Sequence, residues 1–90
     1  MKISEKMTIV NKLGLHLRAA AELVKTTNKF KCHVFVKHGI QNANAKSLMG
    51  LMTLAAAKGT ELEVAANGED AKEALTAIRQ LLVRKFGEKE

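Results

Sequence analysis

The sequence predicts an α+β fold in which strands and helices alternate in the order βαββαβα. Three observations predict it. Apolar residues alternate with polar ones in three short stretches, around Met7 and Ile9, around Cys32, Val34 and Val36, and around Leu62, Val64 and Ala66. Two longer stretches instead carry apolar residues at the i, i+3, i+4, i+7 spacing of one helix face. The connections between them are short, which favours mostly antiparallel pairing. With 90 residues, 47% of them hydrophobic, the chain can bury one modest core, so a single domain spanning residues 1–90 is expected.

Residues 5–10 alternate as a first strand with Met7 and Ile9 on one face, and residues 11–14 turn the chain. A helix over residues 17–29 buries Ala20, Leu23, Val24 and Thr27 and turns Arg18, Glu22, Lys25 and Lys29 to water. Residues 32–37 form a second strand with Cys32, Val34 and Val36 on the core face. His38 and Gly39 supply a hairpin turn into a third strand over residues 40–42, whose low apolar content suits an edge. Ser47 fits the N-cap of a short helix through residue 54. That helix has almost no polar face, and a small domain cannot bury every side of it. Leu51 and Leu54 are assigned to the core, leaving Leu48, Met49 and Met52 as an adaptable docking patch; the rival is a fully buried connector. Past Gly59, residues 60–66 alternate as a central strand with Leu62, Val64 and Ala66 inward. Asn67 and Gly68 turn the chain, and Asp70 with Glu73 matches a capping box that starts the last helix. Ala71, Ala74, Leu75, Ile78, Leu81, Leu82 and Lys85 recur along it at helical spacing and cover the sheet.

The chemistry concentrates in Gly14-Leu15-His16-Leu17-Arg18-Ala19-Ala20. A histidine stands between a glycine turn and the start of the first helix, where the free amides and the dipole favour an anion, and Arg18 adds a permanent charge. The arrangement suits a histidine that carries a phosphoryl group, although many histidines begin helices without any such role.

This stretch resembles the active-site signature of the HPr family, the histidine phosphocarriers of the phosphoenolpyruvate-dependent sugar phosphotransferase system. A second block, Asn44-Ala45-Lys46-Ser47-Leu48-Met49-Gly50-Leu51-Met52, is similar to that family's second motif and lies at the usual distance from the histidine. The resemblance covers nearly the whole chain. It implies an open-faced β-sandwich, a four-stranded antiparallel sheet with three helices on one face. It implies a stoichiometric carrier rather than an enzyme, with His16 as the phosphohistidine, attacking through Nδ1, and Arg18 stabilising the phosphate. The implied partners are the first enzyme of the system and sugar-specific acceptor proteins, docking on Leu17, Arg18, Ala21, Lys25, Leu48, Met49 and Met52. A serine kinase or phosphorylase acting on Ser47 is a further implied partner. Two positions depart from the family: Ala19 stands where a proline is usual, and Leu17 where a small residue is usual.

A formal net charge of +6 admits two partner classes, nucleic acid and acidic protein surfaces. Phe30, Phe35 and Phe86 are the only aromatic residues, too few for a stacking platform, and no nucleic-acid motif is present. Much of the lysine excess is read as a solvated surface, with Arg18, Lys25, Lys29 and Lys46 able to add a positive rim around His16 that steers an acidic partner, a reading preferred to nucleic acid. The first residues lack the apolar core of a signal peptide, and no segment is long enough to cross a bilayer, so a cytoplasmic protein without stable membrane insertion is expected, and a monomer. A single cysteine, Cys32, excludes an internal disulfide. His33 and His38 belong to no ligand cluster at metal spacing, and neither a metal nor another cofactor is expected. No acidic residue lies near His16 in sequence to complete a hydrolytic triad. A regulatory binding module without phosphate and a carrier of the nitrogen-related phosphorelay remain as alternatives, with a small nucleic-acid binder as a remote third.

Overall fold

The computed structural model describes residues 1–90. Strand β1 (Lys2–Thr8) leads into helix α1 (Leu17–Thr27), then β2 (His33–His38), β3 (Gln41–Asn44), the short helix α2 (Leu48–Met52), β4 (Glu61–Asn67), α3 (Ala71–Val83) and a single 3-10 turn at Lys85–Gly87. This is the expected order. The four strands form one antiparallel sheet in the spatial order β1-β4-β2-β3, which places β4 in the interior and β3 at an edge.

Alternation decides which face is covered. Val34, Val36, Leu62, Val64 and Ala66 are buried under the helices, together with Met7. Their neighbours His33, Phe35, Lys37, Glu61 and Glu63 stand exposed on the opposite face. Leu23 from α1, Leu51 from α2 and Ile78 from α3 complete one continuous core. At the rim of the covered face Glu5 of β1 binds Arg79 of α3 through two hydrogen bonds, of 2.6 and 3.0 Å. The Arg79 hydrogen bonds hold the Glu5 carboxyl below the usual glutamate range, outweighing the opposing effect of partial burial.

Several boundaries differ from the sequence expectation. β1 starts at Lys2 rather than residue 5, because Lys2 and Ile3 find partners opposite Asn67 and Ala66 of β4. Ile9 lies just past the strand, yet is buried, and its N–H donates to the Thr60 carbonyl at 2.9 Å. Helix α1 stops at Thr27, two residues early, where the Thr27 hydroxyl donates to the carbonyls of Val24 and Ala45. Val24 is only half-buried, and Ala19 is fully buried instead. Ile40 belongs to the β2–β3 turn with Gly39 and is completely exposed, so β3 begins one residue later and runs to Asn44.

The capping box does not form. Asp70 occupies the N-cap position of α3, but its carboxylate accepts the N–H of Lys31 at 2.8 Å and of Cys32 at 2.9 Å, satisfying the loop between α1 and β2. The reason is proximity: a Cβ on Gly68 would lie 2.7 Å from Cys32 Cβ, so the turn before α3 is pressed against that loop.

Helix α3 ends at Val83 rather than continuing through Lys85. Lys85, Phe86 and Gly87 take φ of +58°, +56° and +83°, and three successive left-handed residues reverse the chain. Phe86 is buried, a contribution of about 1.5–3 kcal/mol that anchors the reversal. The last residues are thereby directed back toward the start of α1.

Candidate functional site

His16 is the N-cap residue of α1, with extended backbone and its carbonyl accepting the Ala20 N–H at 2.8 Å. Gly14 makes this approach possible. Its φ is +71°, and a Cβ there would lie 2.5 Å from the Ala56 carbonyl oxygen, so the loop before His16 packs directly on the connector that follows α2. The Leu15 N–H seals that contact by donating to Ala56 O at 2.8 Å. No side chain caps α1, and the amides of Leu17, Arg18 and Ala19 have no intrahelical acceptor. The His16 side chain is 30% exposed, open enough for a partner to reach.

The reversed tail brings an acid to the histidine from 72 residues away. Glu88 Oε2 lies 2.5 Å from His16 Nε2, while Glu88 Oε1 accepts from Asn11 Nδ2 at 3.0 Å. Asn11 is fully buried and gives its other amide hydrogen to the Gly14 carbonyl at 2.8 Å. Burial raises the Glu88 pKa, but the hydrogen bonds from Asn11 and His16, with the charges of His16 and Arg18, outweigh it and hold the carboxyl below the usual glutamate range. An ionised carboxylate only accepts hydrogen bonds, so this contact favours a proton on Nε2. Nδ1 makes no hydrogen bond.

Around the pair lies an open hollow of about 870 Å³, walled by Lys12, Leu13, Leu17 and Arg18 on one side and by Gly87, Glu88, Lys89 and Glu90 on the other. Glu90 is tied down by its carbonyl, which accepts the Lys12 N–H, and by its side chain, 3.6 Å from Lys12 Nζ. Arg18 is exposed and forms no ion pair.

The expected site residues fall into two groups. His16, Leu17 and Arg18 meet at the hollow, and Ala21 and Lys25 continue from Leu17 as an exposed stripe at i, i+4, i+8 spacing. Ser47, Leu48, Met49 and Met52 belong to α2, which packs against α1. Ser47 is the N-cap of α2, its Oγ accepting the Gly50 N–H at 3.1 Å. Met49 is 78% exposed and Met52 38%, but Leu48 is half-buried against the core, so the exposed patch is smaller than expected. The lysine rim is also revised. Lys46 Nζ donates to the Phe30 carbonyl at 2.6 Å, and Lys29 lies past the C-terminal end of α1, whose 11 residues at about 1.5 Å each put that end about 16 Å from His16. Lys12 borders the hollow in their place, and Glu88 and Glu90 make its charge mixed.

Sequence reasoning missed Asn11, Lys12, Leu13, Glu88 and Glu90. The one available cue was Phe86-Gly87 after the last helix, an apolar anchor followed by a residue suited to reversal.

Comparison with known proteins places these features in context. The family model described as PTS HPr component phosphorylation site matches residues 3–84. The phosphocarrier protein HPr of Neisseria meningitidis is 44% identical over 88 residues, covering 98% of this chain and 99% of that relative. The phosphocarrier protein HPr of Xylella fastidiosa strain Temecula1 is 42% identical over 86 residues, covering 96% and 97%. Among solved structures, HPr-C-His from Thermoanaerobacter tengcongensis superposes with a TM-score of 0.94 at 39% identity, covering 98% of this chain and 99% of that one. Glu88 lies beyond the residues that the family model matches.

Proposed function

The chain belongs to the HPr family, the phosphocarriers of the phosphotransferase system, and on that premise we propose that His16 is the residue that carries the phosphoryl group. The observation that carries the assignment is the position of His16 itself, an N-cap whose Nδ1 makes no hydrogen bond, on a helix whose first three amides have no intrahelical acceptor. A neutral imidazole attacks phosphorus through Nδ1, and the phosphoryl oxygens meet the first-turn amides of α1 at the positive end of its dipole. Arg18 supplies a charge that can turn toward the new dianion.

The carrier works in the cytoplasm as a monomeric single domain. The first enzyme of the system donates to it, and sugar-specific acceptor proteins receive from it. Both partners dock on the same surface, formed by Leu17, Ala21 and Lys25 of α1 with Met49 and Met52 of α2, and supported from beneath by Leu48. Ser47 is a regulatory phosphorylation site, since a phosphate there would be tolerated by the start of α2 while placing charge inside the docking surface. The rival readings, a binding module without phosphate and a nucleic-acid binder, are not favoured by the family match. The test is labelling from radioactive phosphoenolpyruvate and the first enzyme. Wild type takes up label and His16→Ala takes up none; equal labelling of the two removes His16 from the role.

A further inference from the structure

We propose that Glu88 is a positioning residue that holds the His16 ring in the tautomer protonated at Nε2, so that Nδ1 presents its lone pair, and that Asn11 fixes Glu88 for this purpose. The inference rests on the assignment of His16 as the phosphoryl carrier.

Three observations support it. The Glu88 side chain is only 13% exposed and spends its two oxygens on two different donors, His16 Nε2 at 2.5 Å and Asn11 Nδ2 at 3.0 Å. Asn11 is committed as a donor on both of its amide hydrogens, and its Oδ1 is buried with no partner, an arrangement that costs about 1–3 kcal/mol. A buried amide kept with an orphaned oxygen is there for its N–H groups. The tail itself is held independently of the histidine, by Phe86 in the core and by the Lys12 N–H on the Glu90 carbonyl. Glu88 is thus delivered to Nε2 rather than drawn there by it.

The chemistry then follows. A neutral imidazole carries one proton, and whichever nitrogen holds it has no lone pair to offer. With Nε2 facing a carboxylate, the tautomer protonated at Nδ1 would set two lone pairs against each other at 2.5 Å, so the proton stays on Nε2. During transfer the Nδ1 pair forms the bond to phosphorus while the bond from phosphorus to the donor breaks, its pair leaving on the donor atom. Nε2 keeps its proton, and the ring becomes positive beside the Glu88 carboxylate. When an acceptor takes the phosphoryl group, the pair returns to Nδ1 and the ring is neutral again.

The decisive comparison is Glu88→Gln with Glu88→Ala. A glutamine has one accepting oxygen where two donors wait. If that oxygen goes to Asn11, its NH₂ faces Nε2 and stabilises the wrong tautomer, protonated at Nδ1. Alanine leaves the ring free to choose. A purely structural role for Glu88 ranks the isosteric glutamine above alanine; tautomer control reverses the order. Both variants keep Phe86, and the substituted position lies outside the core, so the fold is retained.

The experiment records ¹⁵N shifts of the His16 ring at a pH where it is neutral, together with the rate of phosphorylation by the first enzyme. The expected result is an Nε2-protonated ring in wild type, a mixed population in Glu88→Ala, and a majority protonated at Nδ1 in Glu88→Gln. Phosphorylation rates fall in the same order, with Glu88→Gln about ten-fold below wild type, well short of the roughly 10⁴-fold loss when a buried triad histidine is held in the wrong tautomer. Identical ring populations in the three proteins, or a glutamine variant as fast as or faster than the alanine variant, overturn the proposal. The ring shifts need no phosphoryl donor, so they decide the role of Glu88 even if His16→Ala labels like wild type and the carrier assignment fails.

Discussion

Gly14→Ala tests whether the loop before His16 is held by backbone packing. The added Cβ would lie 2.5 Å from Ala56 O and 2.9 Å from Ala57 Cα, both main-chain atoms that cannot swing aside. The left-handed backbone at φ +71° costs an alanine about 1–2 kcal/mol. Overpacking adds about 1–3 kcal/mol. The sum, about 2–5 kcal/mol, lowers the Tm of a domain this size by at least about 8 °C. Gly39→Ala is the control. Its φ is +63° and nothing lies within 4 Å of a Cβ there, so it suffers the backbone term alone. Chemical denaturation of both variants isolates the steric contribution as their difference. Phosphorylation should fall only in Gly14→Ala, because separating the loop from Ala56 moves His16. A Gly14→Ala protein no less stable than Gly39→Ala, with unchanged phosphoryl uptake, would refute the packing account.

Four further variants, at three positions, probe other parts of the molecule. Met49→Glu should change stability by no more than about 0.5 kcal/mol, since Met49 is 78% exposed, while raising KM for both partners about five-fold, as loss of one substantial interface contact would; a large drop in Tm with normal transfer would make Met49 structural. Ser47→Asp keeps a capping oxygen and should slow phosphorylation of His16 at unchanged or higher Tm, whereas Ser47→Ala should lose about 1 kcal/mol of cap energy and transfer normally; if both transfer like wild type, Ser47 is only a cap. Asp70 accepts the Lys31 N–H and, despite some desolvation, has its carboxyl held below the usual aspartate range. A depressed folded-state value means that the stabilisation is complete above the usual aspartate pKa and is lost as pH falls through the lower folded value. Asp70→Asn should therefore flatten the acid limb of the stability profile, and an unchanged limb in urea melts at stepped pH would exclude Asp70 as a contributor.

The sequence made the fold legible wherever side-chain period and local turns agreed. Cys32, Val34 and Val36 alternate and are buried; Leu62, Val64 and Ala66 do likewise on the interior strand. Legibility failed where a polar residue answered to a distant segment. Asp70 has the local context of a cap, yet its oxygens go to amides 38 and 39 residues earlier. Glu88 looks like one more charge in a solvated tail, because beyond the apolar Phe86 and the following glycine nothing local records that Lys85 and Phe86 adopt positive φ and turn the tail back. The site was half legible for the same reason. His16 and Arg18 lie in one turn of chain, whereas the acid opposite them arrives only through tertiary reversal.

The division between fixed and movable groups suits a carrier. Free amides of Leu17, Arg18 and Ala19 are rigid parts of α1, so their attraction for a phosphoryl group involves no reordering. Arg18, by contrast, is exposed and tied to no carboxylate within 4 Å, so its contribution is weakened by solvent and by the entropy of holding a long side chain. A clamped, buried arginine would deepen the phosphorylated state and slow its discharge. Glu88 works on the other side of the ring. In the proposed mechanism its carboxylate would balance the positive charge that the imidazole gains with the phosphoryl group, and its 2.5 Å contact is to Nε2, not to the nitrogen assigned to attack. Phosphoryl oxygens on Nδ1 would thus lie across the ring from the carboxylate, which would keep the two anions apart while each meets its own donors. A carboxylate placed at Nδ1 instead would repel the incoming group and take the reactive lone pair out of use. The reversal at Lys85–Gly87 brings Glu88 to Nε2, and in the proposed role the tail would thereby leave Nδ1 to face a partner.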